Sequence, residues 1–529
     1  MVCRSVVDVR GGSQAADAVE SAPNRGIMSN TLLVNSTRAE TRVALIEDGI
    51  LSELYMERRR DRGVASNVYK GRVLRVLPGM QAAFVDVAQE KAGFLHVSDF
   101  YSFDKEFELL DEDPDQMPPP SRGKISKKIN ISDCMKEGEE ILVQVSKEPM
   151  GTKGARLTGH VSIPGRYVVF MPTVSHIGVS RRIGSEKERK RLRKIVENNR
   201  PPGTGFIVRT VSDGIDEDKI LRDMQLLVQL WTDILERFNE VKAPYLLNEE
   251  PDLLLRSARD LFTTDVEQLV VDDRKAYKRV SDFTSHYMPE FSDSIELYKA
   301  PEPIFDAYGI EAEIQGALSE EVPLKSGGSL VFDKTEALTA VDVNTGGFTG
   351  STSDLEETIL RTNLEAAEEV VYQLRLRNIG GIIIIDFIDM EDAKNRERVY
   401  RTLEDALDKD RVTTNALAIS EFGLVEMTRK RVRESLSQYM CDPCPHCEGR
   451  GQIKTRETVA AEIVREIRRE APLMEGNAIY VDAHPEVVSY LLNVERSTIQ
   501  ELEDIFEAKV NLRGNRNGHV ENYEIADAR

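Results

Sequence analysis

A strand–helix–strand pattern over residues 338–386 sets the frame for everything around it. Leu338-Thr339-Ala340-Val341-Asp342-Val343-Asn344 reads as a strand ending near Asp342, followed by the glycine-rich turn Gly346-Gly347-Phe348-Thr349-Gly350. A helix opens on the capping box Ser353-Asp354-Leu355-Glu356, in which Ser353 caps the backbone and Glu356 reaches back. Leu355, Ile359, Ala366, Val370 and Leu374 keep one apolar face to Leu376, and Asn378 with Gly380-Gly381 stops the helix. Ile382-Ile383-Ile384-Ile385-Asp386 then reads as a fully buried strand. A crossover of this length makes the strands parallel and the connection right-handed. Asp342 and Asp386 thereby emerge at one carboxyl edge of an α/β sheet, where open sheets of this kind place ligands.

Two carboxylates so placed repel unless a cation lies between them, and hard oxygens with open water positions suit Mg²⁺. Such a metal orients a water against a phosphodiester and stabilises the charge that develops. The amide of Asn344, on the same side of its strand as Asp342, can hold the phosphate. Asp333 and Asp389 are better read as solvated. The plainer alternative is that both aspartates only cap strands.

Elsewhere the pattern divides into segments. Residues 31–56 read as strands joined by turns, one of them Glu47-Asp48-Gly49, and make half of a sheet whose remainder comes from elsewhere. Five short strands at 68–76, 82–87, 92–96, 140–145 and 155–158 suit a small closed barrel. Residues 101–132, acidic and carrying Pro118-Pro119-Pro120, read as a surface loop inserted between its strands. A strand pair at 166–171 and 205–210 flanks a helical, very basic stretch, and 216–300 looks largely helical, with Trp231 on an apolar face. From Tyr308 to Glu426 the order is β-α-β; a Cys/Pro/Gly knuckle and a small α+β unit follow. No period of about 20–50 residues repeats, which argues against a solenoid.

The 529 residues carry 70 Lys+Arg against 91 Asp+Glu, a net charge of −21 that on its face argues against a polyanion partner. Charge acts within a Debye length of about 8–10 Å, however, and residues 181–200 carry nine Lys/Arg against three Glu. Such a patch neutralises phosphates without regard to sequence; the blander reading is a solvated helix face. No apolar run approaches the ~20 residues of a membrane span. Five cysteines are too few for a disulfide framework, so a reducing cytoplasm is the expected compartment. The first 27 residues read as a disordered extension, with Met28 as the expected start. In Cys441-Asp442-Pro443-Cys444-Pro445-His446-Cys447 the thiols suit zinc, but four ligands are needed and no second CxxC follows. Either Cys441 and His446 complete the site in one chain, or two chains each supply Cys444 and Cys447. His446, lying between the two cysteines, is poorly placed to reach the same ion.

Asp342-Val343-Asn344, Asp354-Leu355-Glu356-Glu357-Thr358, Thr362-Asn363-Leu364-Glu365-Ala366-Ala367, Gln373-Leu374-Arg375-Leu376-Arg377 and Gly380 to Met390 closely resemble the ribonuclease E/G family of endoribonucleases. The resemblance runs from about Asn30 to the C-terminus and points to the branch without a long disordered tail. It implies Mg²⁺ on catalytic Asp342 and Asp386, with Asn344 contacting phosphate. It implies an RNA channel formed by Phe84, Phe94 and Lys153 on an OB-fold barrel, where base stacking is worth roughly 1–3 kcal/mol per base; on pattern alone those aromatics would be core. Arg209 and Thr210 match the family's sensor for an RNA 5′-monophosphate, with backbone support at Gly165 and Val169. Thr413 stands where ribonuclease E has a further arginine, which leaves the strength of that sensing open. The resemblance also implies Zn²⁺ shared between two subunits through Cys444 and Cys447.

The implied fold is α/β multidomain. A ribonuclease H-like subdomain (residues 28–64 and 245–307) is interrupted by the OB-fold RNA-binding barrel (65–162) and a 5′-phosphate sensor region (163–244). A deoxyribonuclease I-like catalytic subdomain (308–439), a zinc-link knuckle (440–452) and a small α+β dimerisation domain (453–529) follow. The expected activity is Mg²⁺-dependent hydrolysis of single-stranded, AU-rich RNA with a preference for 5′-monophosphorylated substrates, in ribosomal RNA processing and mRNA decay, by a homodimer or homotetramer that touches no membrane. The rivals are a non-catalytic RNA-binding scaffold and a metal-dependent phosphohydrolase of small molecules.

Overall fold

The computed structural model describes residues 30–100, 130–149, 153–346, 355–474, 476–516 and 518–527. Two compact units divide the chain, one running to Leu436 and the other beginning at Ser437. Residues 101–129 of the expected 101–132 loop, the glycine-rich turn from Gly347 and the cap residue Ser353 lie outside the described residues, as do residues 1–29; the loop's expected end is instead helical from Ile131, whose side chain is fully buried in the barrel core.

In the first unit β1 (Thr31–Ser36), β2 (Glu40–Glu47) and β3 (Ile50–Arg58) form an antiparallel meander. Its second turn is Asp48-Gly49, both at positive φ, the backbone that a two-residue hairpin requires and that Asp-Gly supplies at least cost. Next come β4 (Val68–Leu77), β5 (Ala82–Asp86), β6 (Gly93–His96), α1 (Ile131–Cys134), β7 (Glu140–Lys147) and β8 (Arg156–Thr158). The strand order β4-β5-β6-β8-β7, with β7 pairing back to β4, closes the five expected strands into a barrel. Tyr69, Val73, Val85, Leu95, Val143 and Leu157 fill it. A Cβ on Gly93 would stand 2.5 Å from Leu157, so only glycine lets β6 lie against that core.

The chain continues through β9 (Ile163–Pro164), β10 (Val168–Met171), β11 (Ile177–Val179), α2 (Glu186–Asn199), β12 (Gly205–Val208), α3 (Glu217–Glu240) and β13 (Tyr245–Asn248). The expected strand pair is the centre of a four-stranded sheet, β11-β12-β10-β9, and the second strand stops at Val208, short of Arg209 and Thr210. α4 (Leu253–Asp260), β14 (Gln268–Val271), α5 (Arg274–Tyr287) and β15 (Ile295–Leu297) follow. The expectation that 216–300 is largely helical therefore fails at β13, β14 and β15, strands of three or four residues too short to show a period of two. β14 and β15 extend the first sheet as β15-β14-β1-β2-β3, supplying its missing half.

After α6 (Ile304–Ala307) and α7 (Ile310–Ala317) come β16 (Glu321–Pro323), β17 (Ser329–Lys334), β18 (Leu338–Asn344), α8 (Leu355–Leu376), β19 (Gly381–Asp386), α9 (Ala393–Leu407), β20 (Thr414–Ala416) and β21 (Leu424–Arg429). Their order is β16-β17-β18-β19-β21-β20, with β18 and β19 parallel as the crossover requires. α8 and α9 bury one face over Leu330, Val341, Val343, Ile383, Ile385 and Val425. The other face is open. Ile382 is 50% exposed and Ile384 half-buried, so β19 is not the fully buried strand its four isoleucines suggest: helices cover only one side of it. Glu356, expected to close a capping box, instead accepts hydrogen bonds from the Asp392 amide (3.0 Å) and Asn395 Nδ2 (3.1 Å).

α10 (Leu436–Met440) leads out of the first unit. In the second, α11 (Arg456–Glu470), β22 (Ala478–Ala483), α12 (Pro485–Asn493), α13 (Arg496–Phe506), β23 (Lys509–Gly514) and β24 (Tyr523–Asp527) build a small α+β core around the sheet β23-β22-β24. Among the described residues no helix is long and apolar enough to cross a membrane.

Candidate functional site

Strand alternation puts Asp342, Asn344 and Asp386 on the open face of the sheet while Val341, Val343 and Ile385 turn to the helices. Asp342 and Asp386 are register partners across the parallel pair, and Asp386 is the last residue of β19. Asn344 Nδ2 donates to Asp342 Oδ2 at 2.8 Å, which orients that carboxylate. Partial burial, then the charges of Asp342 and Asp389, push the Asp386 carboxyl above its ordinary range. The loop after β19 is held from behind by the fully buried Asn363 of α8. Its Nδ2 donates to the Ile388 carbonyl at 2.8 Å, and its Oδ1 accepts from the Ile388 amide at 3.1 Å. Asp389 and Asp333 are both exposed.

Among the described residues no three His, Cys, Asp or Glu side chains gather as a metal-holding group, so the donor set here is the carboxylate pair. Its chemistry fits Mg²⁺, which binds through one or two carboxylates and keeps waters elsewhere. The repulsion that raises Asp386 is what a cation between the two would relieve.

Phe84 and Phe94 are register partners on β5 and β6, half-buried, with ring centroids 6.0 Å apart at 68°. They face outward, because Val85 and Leu95 fill the barrel, and Lys153 is exposed. The pattern-based expectation of core aromatics therefore does not hold for this pair.

Arg209 Nη1 donates to the Gly165 carbonyl and to Asp260 Oδ1, both at 2.7 Å. Burial raises the Asp260 carboxyl, but Arg209 and then Arg259 outweigh it and hold that group far below the usual range. The turn that carries Gly165 is fixed by Asp223 of α3. This buried carboxylate accepts from the successive amides of Arg166 (3.3 Å), Tyr167 (2.8 Å) and Val168 (3.1 Å). The Thr210 and Ser180 hydroxyls share a 2.8 Å hydrogen bond, and Val169 is half-buried on β10 opposite Ile207. A cleft of about 390 Å³ is lined by Arg209, Arg256, Asp260, Arg411, Thr413 and Lys430 among others, but not by Gly165, Val169 or Thr210. Asp223 and Asp260 had no signal in the sequence, since Asp223 meets the amides it holds, and Asp260 meets Arg209, across more than fifty residues. Asn363 lies within the family-like segment Thr362 to Ala367, where its sequence neighbours give no sign of the Ile388 backbone it holds.

In the second unit Cys444 is exposed, Cys447 half-buried and Cys441 exposed, all as free thiols. Hydrogen bonds from the backbone amides of Cys447 and His446 hold the Cys444 thiol below its usual range. This knuckle of sulfur with inward-turned amides fits two ligands of a tetrahedral zinc site. The His446 ring packs on His519, their centroids 4.6 Å apart, and the His446 carbonyl accepts from His519 Nε2 at 2.5 Å. Arg450 donates its amide to the Cys447 carbonyl at 2.8 Å and pairs with Glu521 at 2.6 Å, pinning the knuckle to the turn before β24.

The model of the ribonuclease E/G family matches residues 162–432, and that of the RNase E/G thioredoxin-like domain matches residues 443–528. Ribonuclease G of Haemophilus influenzae is 46% identical over 495 residues, covering 93% of this chain and 98% of the relative. Ribonuclease G of Escherichia coli is 46% identical over 484 residues, 90% and 95% of the two chains. Ribonuclease E of Escherichia coli is 35% identical over 475 residues, 89% of this chain but 43% of that longer protein. Matches of that length, spanning the open-faced sheet, the Arg209 cleft and the cysteine knuckle alike, place the chain in the ribonuclease E/G family.

Proposed function

We propose that the protein is a Mg²⁺-dependent endoribonuclease that cuts single-stranded, AU-rich RNA and prefers 5′-monophosphorylated substrates. The observation that carries this reading is the register-opposed Asp342/Asp386 pair on an open sheet face, in a chain whose relatives are named as ribonucleases. Asp342 and Asp386 would hold the metal, with Asn344 keeping the first of them oriented. Bound there, Mg²⁺ supplies an activated water and stabilises charge on the phosphodiester. The water oxygen bonds to phosphorus as the O3′ bond breaks, leaving a 3′-hydroxyl upstream and a 5′-phosphate downstream. Phe84 and Phe94 offer ring faces for stacked bases and Lys153 a phosphate contact. The Arg209 guanidinium suits a terminal phosphate, with Thr210 beside it and the Gly165 and Val169 backbone behind.

In this reading the first sheet is the ribonuclease H-like subdomain, the barrel an OB fold and the β16–β21 sheet the deoxyribonuclease I-like subdomain. Zn²⁺ shared through Cys444 and Cys447 joins two copies, and the second unit serves dimerisation. Work in a cytoplasm on ribosomal RNA precursors and mRNA suits such an enzyme.

The direct test is cleavage of a short single-stranded RNA in Mg²⁺. Wild type is expected to cut, and to cut the 5′-monophosphorylated form faster than the 5′-hydroxyl form; Arg209→Lys removes that difference, because one ammonium cannot replace a bidentate fork. RNA binding without cutting by wild type sinks the enzyme in favour of a scaffold. For the zinc link, Cys444→Ser/Cys447→Ser is expected to lose bound zinc in elemental analysis and to sediment as a smaller species. Unchanged sedimentation overturns the link.

A further inference from the structure

The strongest concentration of positive charge on this acidic chain lies on α2, outside every site described above. Lys187, Lys190 and Lys194 recur at a spacing of three and four, which puts them on one face of the helix. Arg193 flanks them, and Arg181 and Arg182 precede the helix. All six are exposed, against exposed Glu186 and Glu197, so this ridge carries a surplus of four positive charges while the chain carries −21. The arrangement does not serve the helix. Glu186–Lys190 is an i,i+4 ion pair at 2.8 Å, but Lys187–Lys190 and Lys190–Lys194 are like-charge neighbours that repel one another.

The opposite face of α2 is committed: Leu192, Ile195 and Val196 are buried in a core with Phe206 and Met224. No apolar face is left for a bilayer, so the partner the ridge fits is a soluble polyanion. Its position identifies which one. Arg182 Nη1 donates to the Arg411 carbonyl at 2.7 Å, and Arg411 lines the cleft that also holds Arg209. The ridge thus begins where the cleft ends. Lys187 to Lys194 spans about 10 Å of helix, a length over which a nucleic-acid strand carries about three phosphates.

We propose that the Lys187–Lys190–Lys194 face of α2, continued through Arg182 to the Arg209 cleft, is a second RNA-binding surface that holds the sugar–phosphate backbone of substrate lying beyond the cleft. This inference rests on the reading of the protein as a ribonuclease. The surface reads charge and not base identity, so it adds affinity and salt dependence without adding sequence preference.

The test is equilibrium binding of the full-length protein, in EDTA, to a 5′-monophosphorylated 2′-O-methyl RNA that is not cut, across a series of salt concentrations. Lys187→Gln/Lys190→Gln/Lys194→Gln removes three charges and keeps good helix formers, and its circular dichroism and unfolding midpoint serve as the check on folding. Each phosphate contact contributes about 0.7 to the slope of log K against log salt for a single strand. The triple variant is therefore expected to lower that slope by about two and to weaken binding about 10–100-fold at 0.1 M salt. An unchanged slope and affinity overturn the ridge while leaving the ribonuclease reading intact, provided wild type cuts RNA. A wild type that neither binds nor cuts RNA overturns both. If wild type binds phosphatidylserine vesicles, the triple variant loses that binding and RNA affinity is unchanged, the ridge is a membrane surface and the proposal is wrong.

Discussion

Asp386→Asn is expected to lower RNA cleavage by about 10³-fold or more, roughly 4 kcal/mol of transition-state stabilisation, while RNA binding in EDTA stays within about twofold of wild type. The side chain ends β19 on an open face opposite Asp342, so an isosteric amide disturbs no packing and removes one of the two carboxylates that would hold the metal. Stability moves in the other direction from activity. Partial burial and the charges of Asp342 and Asp389 raise this carboxyl in the folded protein, so the folded state binds its proton more tightly than the unfolded chain does. In metal-free protein that contribution is present below the ordinary carboxyl pKa and is lost as pH rises through the raised value. The variant lacks this titration and is expected to unfold at neutral pH no lower than wild type. Cleavage by Asp386→Asn at the wild-type rate removes the aspartate from the chemistry; loss of cleavage accompanied by a lowered midpoint reduces it to a structural residue.

Asp410→Ala is expected to destabilise the first unit by about 3–5 kcal/mol. Asp410 and Arg429 form an ion pair at 2.7 Å with side chains 2% and 3% exposed. Arg429 also donates from Nη1 to the Ile379 carbonyl at 2.9 Å, and it faces Gly381 in the pairing of β19 with β21. Removing the carboxylate leaves a guanidinium buried without its counter-charge, beside the turn that delivers β19 and therefore Asp386. Two apolar or neutral replacements leave no orphaned charge, so Asp410→Asn/Arg429→Met should recover most of the loss. Urea unfolding followed by circular dichroism measures it. A cost below about 1 kcal/mol for Asp410→Ala shows that water reaches the pair and that β19 is held in place by other contacts.

The elements legible in the sequence were those whose signal is local. Asp48-Gly49 is a turn because few residue pairs tolerate positive φ twice in succession. The crossover from Leu338 to Asp386 is readable because a 22-residue helix between two apolar strands admits a parallel arrangement, and that arrangement alone puts the two aspartates side by side. The five barrel strands and the knuckle around Cys444 and Cys447 were visible for the same reason. The short strands β13, β14 and β15 were not, because three or four residues carry no periodicity. Gln268–Val271 is a strand only because β1, more than two hundred residues earlier, offers it an edge. Four successive isoleucines misled in the opposite sense. A run of apolar residues reports the affinity of a strand for a core and is silent on whether both faces have one.

The sequence by itself determined the chemistry available to this protein: two aspartates on parallel strand ends, an asparagine two residues on, aromatics on the strands of a small barrel, and two thiols at a CxxC spacing. Backbone propensity and hydrophobic period act over a few residues, and they suffice for that much. Only the tertiary structure decided which face of the β16–β21 sheet stays open, that Phe84 and Phe94 turn outward from the barrel, that Asp223 and Asp260 position Gly165 and Arg209, and that the basic helix adjoins the Arg209 cleft. Those are contacts between segments tens to hundreds of residues apart, made when buried charges must find partners and apolar faces must be covered, and no local pattern encodes which partner is found.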